Sequence, residues 1–254
     1  MVNNLPRSKG RPPIHPVDRV RTQVWFYTVK HVSSLPSAYS IEMRLDGDRI
    51  RKRDTDVARP RKWDGYEKGK FVPTDKPGPR NAIDQAESVF PGTAKLFRSP
   101  LWDVLKKRKF DQLQIDNALF SLDPWIVALL FGSKPREGEA RPRLLPFDAG
   151  SARLLQTLAS FDSLVAIVLM AHLAETIASP QLRELAVNTY IGMQEKLRDT
   201  PGIKEVAVDF FHLVDSYCKH WTFLSASQRM EVAFFSGQEP SEIAQPVKFR
   251  LPGL

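Results

Sequence analysis

Cationic and aromatic side chains are interleaved between Arg61 and Pro73, where the chain reads RKWDGYEKGKFVP. Trp63 and Tyr66 are three residues apart and therefore share one face of a helix. Gly69 stands where a left-handed residue commonly ends a helix, and a proline follows shortly after it. The segment predicts a short helix with an aromatic inner face and a polar outer face. Lysine and arginine on such an outer face are suited to contact DNA phosphates.

A second group of cations lies immediately before this helix. Residues 48–62 are mostly charged and offer a core little to bury, which predicts an exposed loop or a short hairpin. Across both segments, the candidate nucleic-acid-binding side chains are Arg51, Lys52, Arg53, Arg61, Lys62, Lys68 and Lys70.

The same residues are compatible with other interpretations. Trp63, Tyr66 and Phe71 stand among cations, so they could stack on the bases of a single strand. The segment could also be an ordinary capped surface helix whose aromatics belong to the core. The run at residues 106–109 falls at the end of a predicted helix, where cations favour the helix dipole and could also contact phosphate.

Positive charge is concentrated in the first part of the chain. Residues 1–110 contain 24 Lys and Arg against 12 Asp and Glu, whereas residues 111–254 contain 13 against 17. This asymmetry indicates that the first part meets an anionic partner, of which nucleic acid is the commonest. An acidic protein or an anionic membrane face would also fit, and so would a basic surface that serves only solubility.

Patterns of known catalytic or metal chemistry are not found in the sequence. The five histidines and one cysteine form no HExxH motif and no zinc spacing, and the glycines form neither nucleotide-binding loop. Asp54 and Asp56 lack a third acid or a lysine at a nuclease-like spacing. His172 and Glu175 share a helix face, but such pairs are common by chance. The sequence predicts no enzyme, no metal ligand and no cofactor.

The single cysteine, Cys218, excludes an intrachain disulfide and indicates a reducing compartment. Residues 1–21 lack the apolar stretch of a signal peptide. The most apolar run, Leu164–Ala171, is far shorter than the roughly 20 residues of a membrane-spanning helix. We therefore expect a cytoplasmic protein with no membrane partner, in which this run is a buried core helix.

The elements that must position the candidate residues are expected to be helices, giving a mainly α fold. Asp18 is a candidate cap for a helix that begins near Arg19, and Ser37 for a second one. Further helices are expected near residues 81–90, 101–109, 111–120, 124–131, 151–178, 180–199, 203–223 and 227–235.

The predicted domain organisation has four parts. A flexible basic arm over residues 1–17 precedes a basic helical module over residues 18–110. A helical bundle over residues 111–236, with a linker-like stretch at Gly132–Asp148, precedes a tail at residues 237–254. We expect the bundle to mediate self-association or contact with another protein.

Several short strings resemble parts of an uncharacterised group of bacterial proteins. They are RVRTQVWF at residues 19–26, KWDGYEKG at residues 62–69, FPG at residues 90–92 and PLW at residues 100–102. The second string also resembles the end of a helix-turn-helix regulator. The resemblance covers residues 19–102 and implies a helix-turn-helix-like module without implying an activity.

Together these observations favour a DNA-binding protein, such as a regulator or a mobile-element or defence protein. The alternative is a non-enzymatic interaction subunit whose basic face docks an acidic partner.

Overall fold

The computed structural model describes residues 13–47, 61–78, 81–106, 109–132 and 142–218, and over these residues the chain is mainly helical, as predicted. The helices are α1 (Pro16–Ser33), α2 (Ala38–Asp46), α3 (Lys62–Glu67), α4 (Ala82–Val89), α5 (Thr93–Phe97), α6 (Leu101–Leu105), α7 (Gln112–Phe120), α8 (Pro124–Leu130), α9 (Ala149–Leu158), α10 (Phe161–Thr176), α11 (Pro180–Arg198) and α12 (Ala207–Cys218). A 3-10 turn at Lys204–Val206 precedes α12, and Phe131 forms an isolated antiparallel bridge with Leu144.

The chain divides into two compact units, residues 1–97 and residues 98–254. The sequence placed the division after residue 110, which would put α6 in the first unit. The structure places α6 in the second unit, where Trp102 packs against Phe161 and Phe210 with ring centroids 6.0 and 6.1 Å apart. These long-range aromatic contacts set the boundary, and neither charge nor spacing reveals them.

The long helix α1 forms the centre of the first unit. It begins three residues before the predicted start, because the His15 side chain accepts the Val17 N–H at 3.2 Å and Pro16 occupies the first turn. The expected cap, Asp18, lies instead within that turn, where a carboxylate favours the helix dipole. The helix ends at Ser33, and Ser34 follows in the left-handed conformation with φ 55°.

Two further helices of the first unit begin with the side-chain caps that their sequences favour. Ser37 Oγ accepts the Ser40 N–H at 3.2 Å and so starts α2, as predicted. Asn81 Oδ1 accepts the N–H groups of Ile83 and Asp84 at 3.0 and 3.1 Å, which starts α4.

The sequence did not predict α5, because its N-terminus is bound by a side chain from another helix. Glu87 in α4 accepts the Gly92 and Ala94 N–H groups at 2.8 and 2.6 Å. Partial burial opposes ionisation of this carboxyl, but the donated N–H groups outweigh it and lower the pKa of Glu87.

In the second unit the central helix is α10, which is buried on almost every face, as predicted for the apolar run Leu164–Ala171. Helices α7, α9 and α11 pack around it. A helix without a polar face can be stable only where neighbours cover it all round.

The sequence predicted one continuous helix over residues 151–178, and this is wrong. The chain breaks between α9 and α10 at Ala159, which has φ 44°, and at Ser160, whose hydroxyl accepts the Ser163 N–H at 3.0 Å. An alanine in the left-handed region is uncommon, and neither glycine nor proline marks the break.

Helix α6 is also shorter than predicted, since it ends at Leu105 and Lys106 is its C-terminal cap. Several predictions fall outside the described residues. They are residues 1–12 of the predicted arm, most of the charged stretch at residues 48–62, the middle of the linker-like stretch, the helix at residues 227–235 and the tail.

Candidate nucleic-acid interface

The short helix α3 is held in place by its aromatic inner face, as its sequence predicts. Trp63 and Tyr66 are only 1% and 5% exposed. Trp63 stacks on Trp25 of α1 with ring centroids 5.3 Å apart, and Tyr66 meets both indoles edge-on. Because large rings pack with specific geometry, these contacts fix the rotation of α3 about its own axis.

Two carboxylates of α2, one helical turn apart, hold the N-terminal end of α3. Glu42 Oε1 accepts the backbone N–H of Lys62 at 3.1 Å. Asp46 Oδ2 accepts the Trp63 Nε1–H at 3.4 Å and pairs with Lys62 Nζ at 3.2 Å. Lys62, predicted as a nucleic-acid contact, therefore has an acidic partner within the fold and helps to position α3.

The same carboxylates affect the buried phenol beside them. Burial raises the pKa of Tyr66, and the nearby charges of Asp46 and Glu42 raise it further. Tyr66 is therefore a neutral core side chain at physiological pH.

The C-terminal end of α3 closes in a Schellman turn, as the position of Gly69 predicts. The Lys70 N–H binds the Gly65 carbonyl at 2.8 Å, the Gly69 N–H binds the Tyr66 carbonyl at 3.0 Å, and Gly69 has φ 61°. A Cβ at position 69 would also crowd the aliphatic part of the Arg19 side chain. Glycine is required here both by the conformation and by the close approach of α1.

Further contacts join α1 to this end of α3. Gln23 Nε2 donates to the Glu67 carbonyl at 3.2 Å, and Lys30 Nζ lies 3.9 Å from Glu67 Oε1. The Gln23 amide thus supplies a hydrogen bond to one of the terminal carbonyls that a helix leaves without an internal partner. Helix α3 is thus fixed at its N-terminal end by α2 and at its C-terminal end by α1.

Three of the predicted contact residues, Arg61, Lys68 and Lys70, lie exposed around this fixed helix. Within the part of the chain that the structure describes, no acidic side chain pairs with any of them. Arg51, Lys52 and Arg53 lie outside the described residues.

The structure adds one cation, Arg19, that the sequence did not single out as a candidate. Its side chain is exposed and lies over Gly69. Gly69 is the residue between Lys68 and Lys70, so Arg19 lies beside two of the predicted contact residues. The only signal in the sequence is an arginine on the first turns of a helix, which is far too common to single it out. We call Arg19, Arg61, Lys68 and Lys70 the α3 cation group.

The three aromatics of the segment separate into two kinds. Trp63 and Tyr66 belong to the core, so they are not available to stack on a base. Phe71 is 45% exposed and lies against the backbone of Gly65, where a Cβ would overlap its ring.

The net charges of the two units differ from those of the two segments defined from the sequence, because the boundary lies after residue 97. Residues 1–97 hold 19 Lys and Arg against 11 Asp and Glu, whereas residues 98–254 hold 18 of each. The described residues of the first unit account for 10 of these cations and 8 of these anions. Most of the excess therefore belongs to segments 1–12 and 48–60, which join the described chain just before α1 and just before Arg61.

Both ring nitrogens of His172, in the second unit, have hydrogen-bond partners within the fold. Its Nδ1 lies 3.0 Å from the Tyr217 hydroxyl, and its Nε2 accepts the Phe110 N–H at 3.4 Å. These bonds connect α10 to α12 and to the segment before α7. The described residues contain no group of three or more His, Cys, Asp or Glu side chains that could hold a metal ion.

Comparisons of the chain with protein-family models, with curated proteins and with solved structures found no match. Among the helices that the structure describes, none is long and apolar enough to cross a membrane.

Proposed function

We propose that the first unit binds DNA through phosphate contacts made by the α3 cation group and by the basic residues of the two adjoining segments. The observation that carries the proposal is the arrangement around α3. An aromatic core and two carboxylates fix the helix, while Arg61, Lys68 and Lys70 remain exposed and have no acidic partner among the described residues.

The distribution of charge supports the same proposal. The net charge of +8 for the whole chain equals that of residues 1–97, since the second unit is balanced. Such a local excess of cations favours binding to nucleic acid, because each phosphate contact releases condensed counterions. A basic surface kept only for solubility would not need to be confined to one unit.

Binding of the full-length chain to fluorescently labelled duplex DNA, single-stranded DNA and RNA across a salt series tests the proposal. We expect measurable affinity that falls steeply with salt. The triple variant Arg61→Ala, Lys68→Ala, Lys70→Ala should bind more weakly, and its slope of log affinity against log salt should be shallower by about 2 to 3 units.

A matched control removes three exposed cations from the second unit: Arg153→Ala, Lys196→Ala, Lys204→Ala. This variant has the same net charge as the first, so only the position of the lost charge differs. Equal weakening by both variants would show nonspecific attraction to a cationic protein. No binding of the parent to any nucleic acid would instead favour the docking of an acidic protein partner. Self-association of the second unit stays a separate prediction.

A further inference from the structure

The half-exposed ring of Phe71 is held in a fixed position on the surface of α3. One side of the ring lies on Gly65, where the absence of a Cβ makes room for it. The Schellman turn that ends α3 sets the direction of the chain immediately before Phe71, since the Lys70 N–H binds the Gly65 carbonyl. The ring is therefore presented to solvent by a rigid support, with little conformational freedom left to lose on binding.

Cations flank α3 at both of its ends, where Arg61 is the N-terminal cap and Lys68 the C-terminal cap. Arg61 and Lys68 are four residues before and three residues after Gly65, and the Gly65 N–H binds the Arg61 carbonyl at 3.1 Å. At these spacings the chain positions of the two cations bracket Gly65, the residue that Phe71 covers, along the helix. They are separated by about 10 Å along the helix axis.

An exposed aromatic ring between two cations matches the chemistry of a nucleotide strand with unpaired bases. Each base offers a flat face to the ring, and the flanking phosphates offer negative charge to the cations. A duplex does not fit equally well, because its bases are already stacked on each other and would leave Phe71 uncovered. A purely acidic surface would pair with the cations but would have nothing to place on the ring.

We propose that Phe71 is a stacking platform for an unpaired base of single-stranded nucleic acid, with Arg61 and Lys68 contacting the phosphates on either side. This inference rests on the proposed function and specifies the form of nucleic acid that this site takes.

Three labelled probes of equal length separate stacking from charge: a single-stranded oligothymidylate, an abasic strand with the same phosphates, and a duplex. Full-length protein should bind the oligothymidylate more tightly than the abasic strand. Phe71→Ala should weaken oligothymidylate binding by about 5- to 150-fold, the range typical of one base–aromatic stack. The same variant should bind the abasic strand and the duplex as the parent does.

Further variants separate stacking from packing. Phe71→Leu keeps an apolar side chain over Gly65 but removes the aromatic face, so it should weaken binding without altering the thermal unfolding midpoint. Phe71→Tyr keeps a stacking surface and should restore binding. Tyr39→Ala removes another aromatic of the first unit with similar exposure, 44%, and should leave binding unchanged.

The two proposals fail in different ways. If Phe71→Leu and Phe71→Ala bind oligothymidylate as tightly as the parent, while the Arg61, Lys68 and Lys70 triple variant binds weakly, then stacking is overturned and the proposed function stands. If the parent binds none of the three probes, both are overturned. If the abasic strand binds as tightly as oligothymidylate, the site recognises phosphate alone and the platform is again overturned.

Discussion

Helices α3 and α10 show two opposite uses of a helix in this protein. Helix α10 has 16 residues, is buried on almost every face and forms the centre of the second unit. Helix α3 has six residues, is buried on its aromatic face and carries exposed cations at and beyond its ends. A helix as short as α3 is not stable by itself, so its position depends on contacts made by α1 and α2. The difference separates a region that maintains the fold from one that presents a surface.

The largest expected effect comes from placing a charge inside α10. Ile167 is 1% exposed, so Ile167→Asp would place an unpaired carboxylate in the core and should cost more than about 4 kcal/mol of the free energy of unfolding. Thermal unfolding followed by circular dichroism measures the loss.

The control for this substitution is Val208→Asp, at a position that is 79% exposed in the first turn of α12. It should leave the unfolding midpoint nearly unchanged. Equal midpoints for the Ile167→Asp variant and the parent would show that α10 is not the core helix described above.

A smaller loss is expected from Trp63→Ala, which removes the ring that joins α3 to α1. The lost packing should cost about 3–5 kcal/mol, the range seen for other buried aromatics. The variant should also bind DNA weakly, because α3 would no longer hold its cations in place. Urea unfolding and the binding assay together measure both effects.

Trp125→Ala provides the matched control, because that indole is 50% exposed in the second unit. We expect a change in unfolding free energy of less than about 1 kcal/mol. If Trp63→Ala unfolds no more readily than Trp125→Ala, the aromatic face of α3 is not what fixes the helix.

The part of this comparison that sequence alone predicts is the part that depends on local patterns. The spacing of Trp63, Tyr66 and Gly69 predicted an aromatic inner face and a left-handed stop, and the apolar run in α10 predicted a buried helix. These features follow from helix periodicity and from the conformational freedom of glycine, both of which are properties of a few neighbouring residues.

What the sequence did not predict depends on residues far apart in the chain. The carboxylate of Asp46 pairs with Lys62, which is 16 residues further along the chain. Arg19 in α1 contacts the position of Gly69, which follows α3. Glu87 starts α5 from within α4, and the packing of Trp102 moves the boundary between the units. No local pattern encodes such contacts, so the sequence could not separate Lys62, which has an acidic partner in the fold, from the other candidate cations.

The smallest expected effect is on the pH dependence of stability, and it arises from His172 in the second unit. Burial lowers the pKa of His172, although the negative charge of the nearby Glu175 carboxylate acts in the opposite direction. In the unfolded chain His172 becomes protonated as the pH falls through its ordinary pKa of 6.5. In the folded second unit it stays neutral to a lower pH. Within this range the unfolded state binds more protons, so stability rises with pH. The contribution is fully present above about pH 6.5 and is lost as the pH falls toward the lowered pKa.

A variant at this position isolates the contribution of His172. Protonation would put a hydrogen on Nε2, which accepts the Phe110 N–H in the fold, so the acidic form loses that bond. His172→Gln cannot titrate, and the difference in unfolding free energy between parent and variant should shrink as the pH is lowered from 8 to 5. Urea unfolding at several pH values measures this difference and cancels the titration of groups common to both proteins. A difference that stays constant with pH would show that the pKa of His172 is the same in the folded and unfolded states. In that case the hydrogen bonds to Tyr217 and Phe110 would not depend on the neutral imidazole.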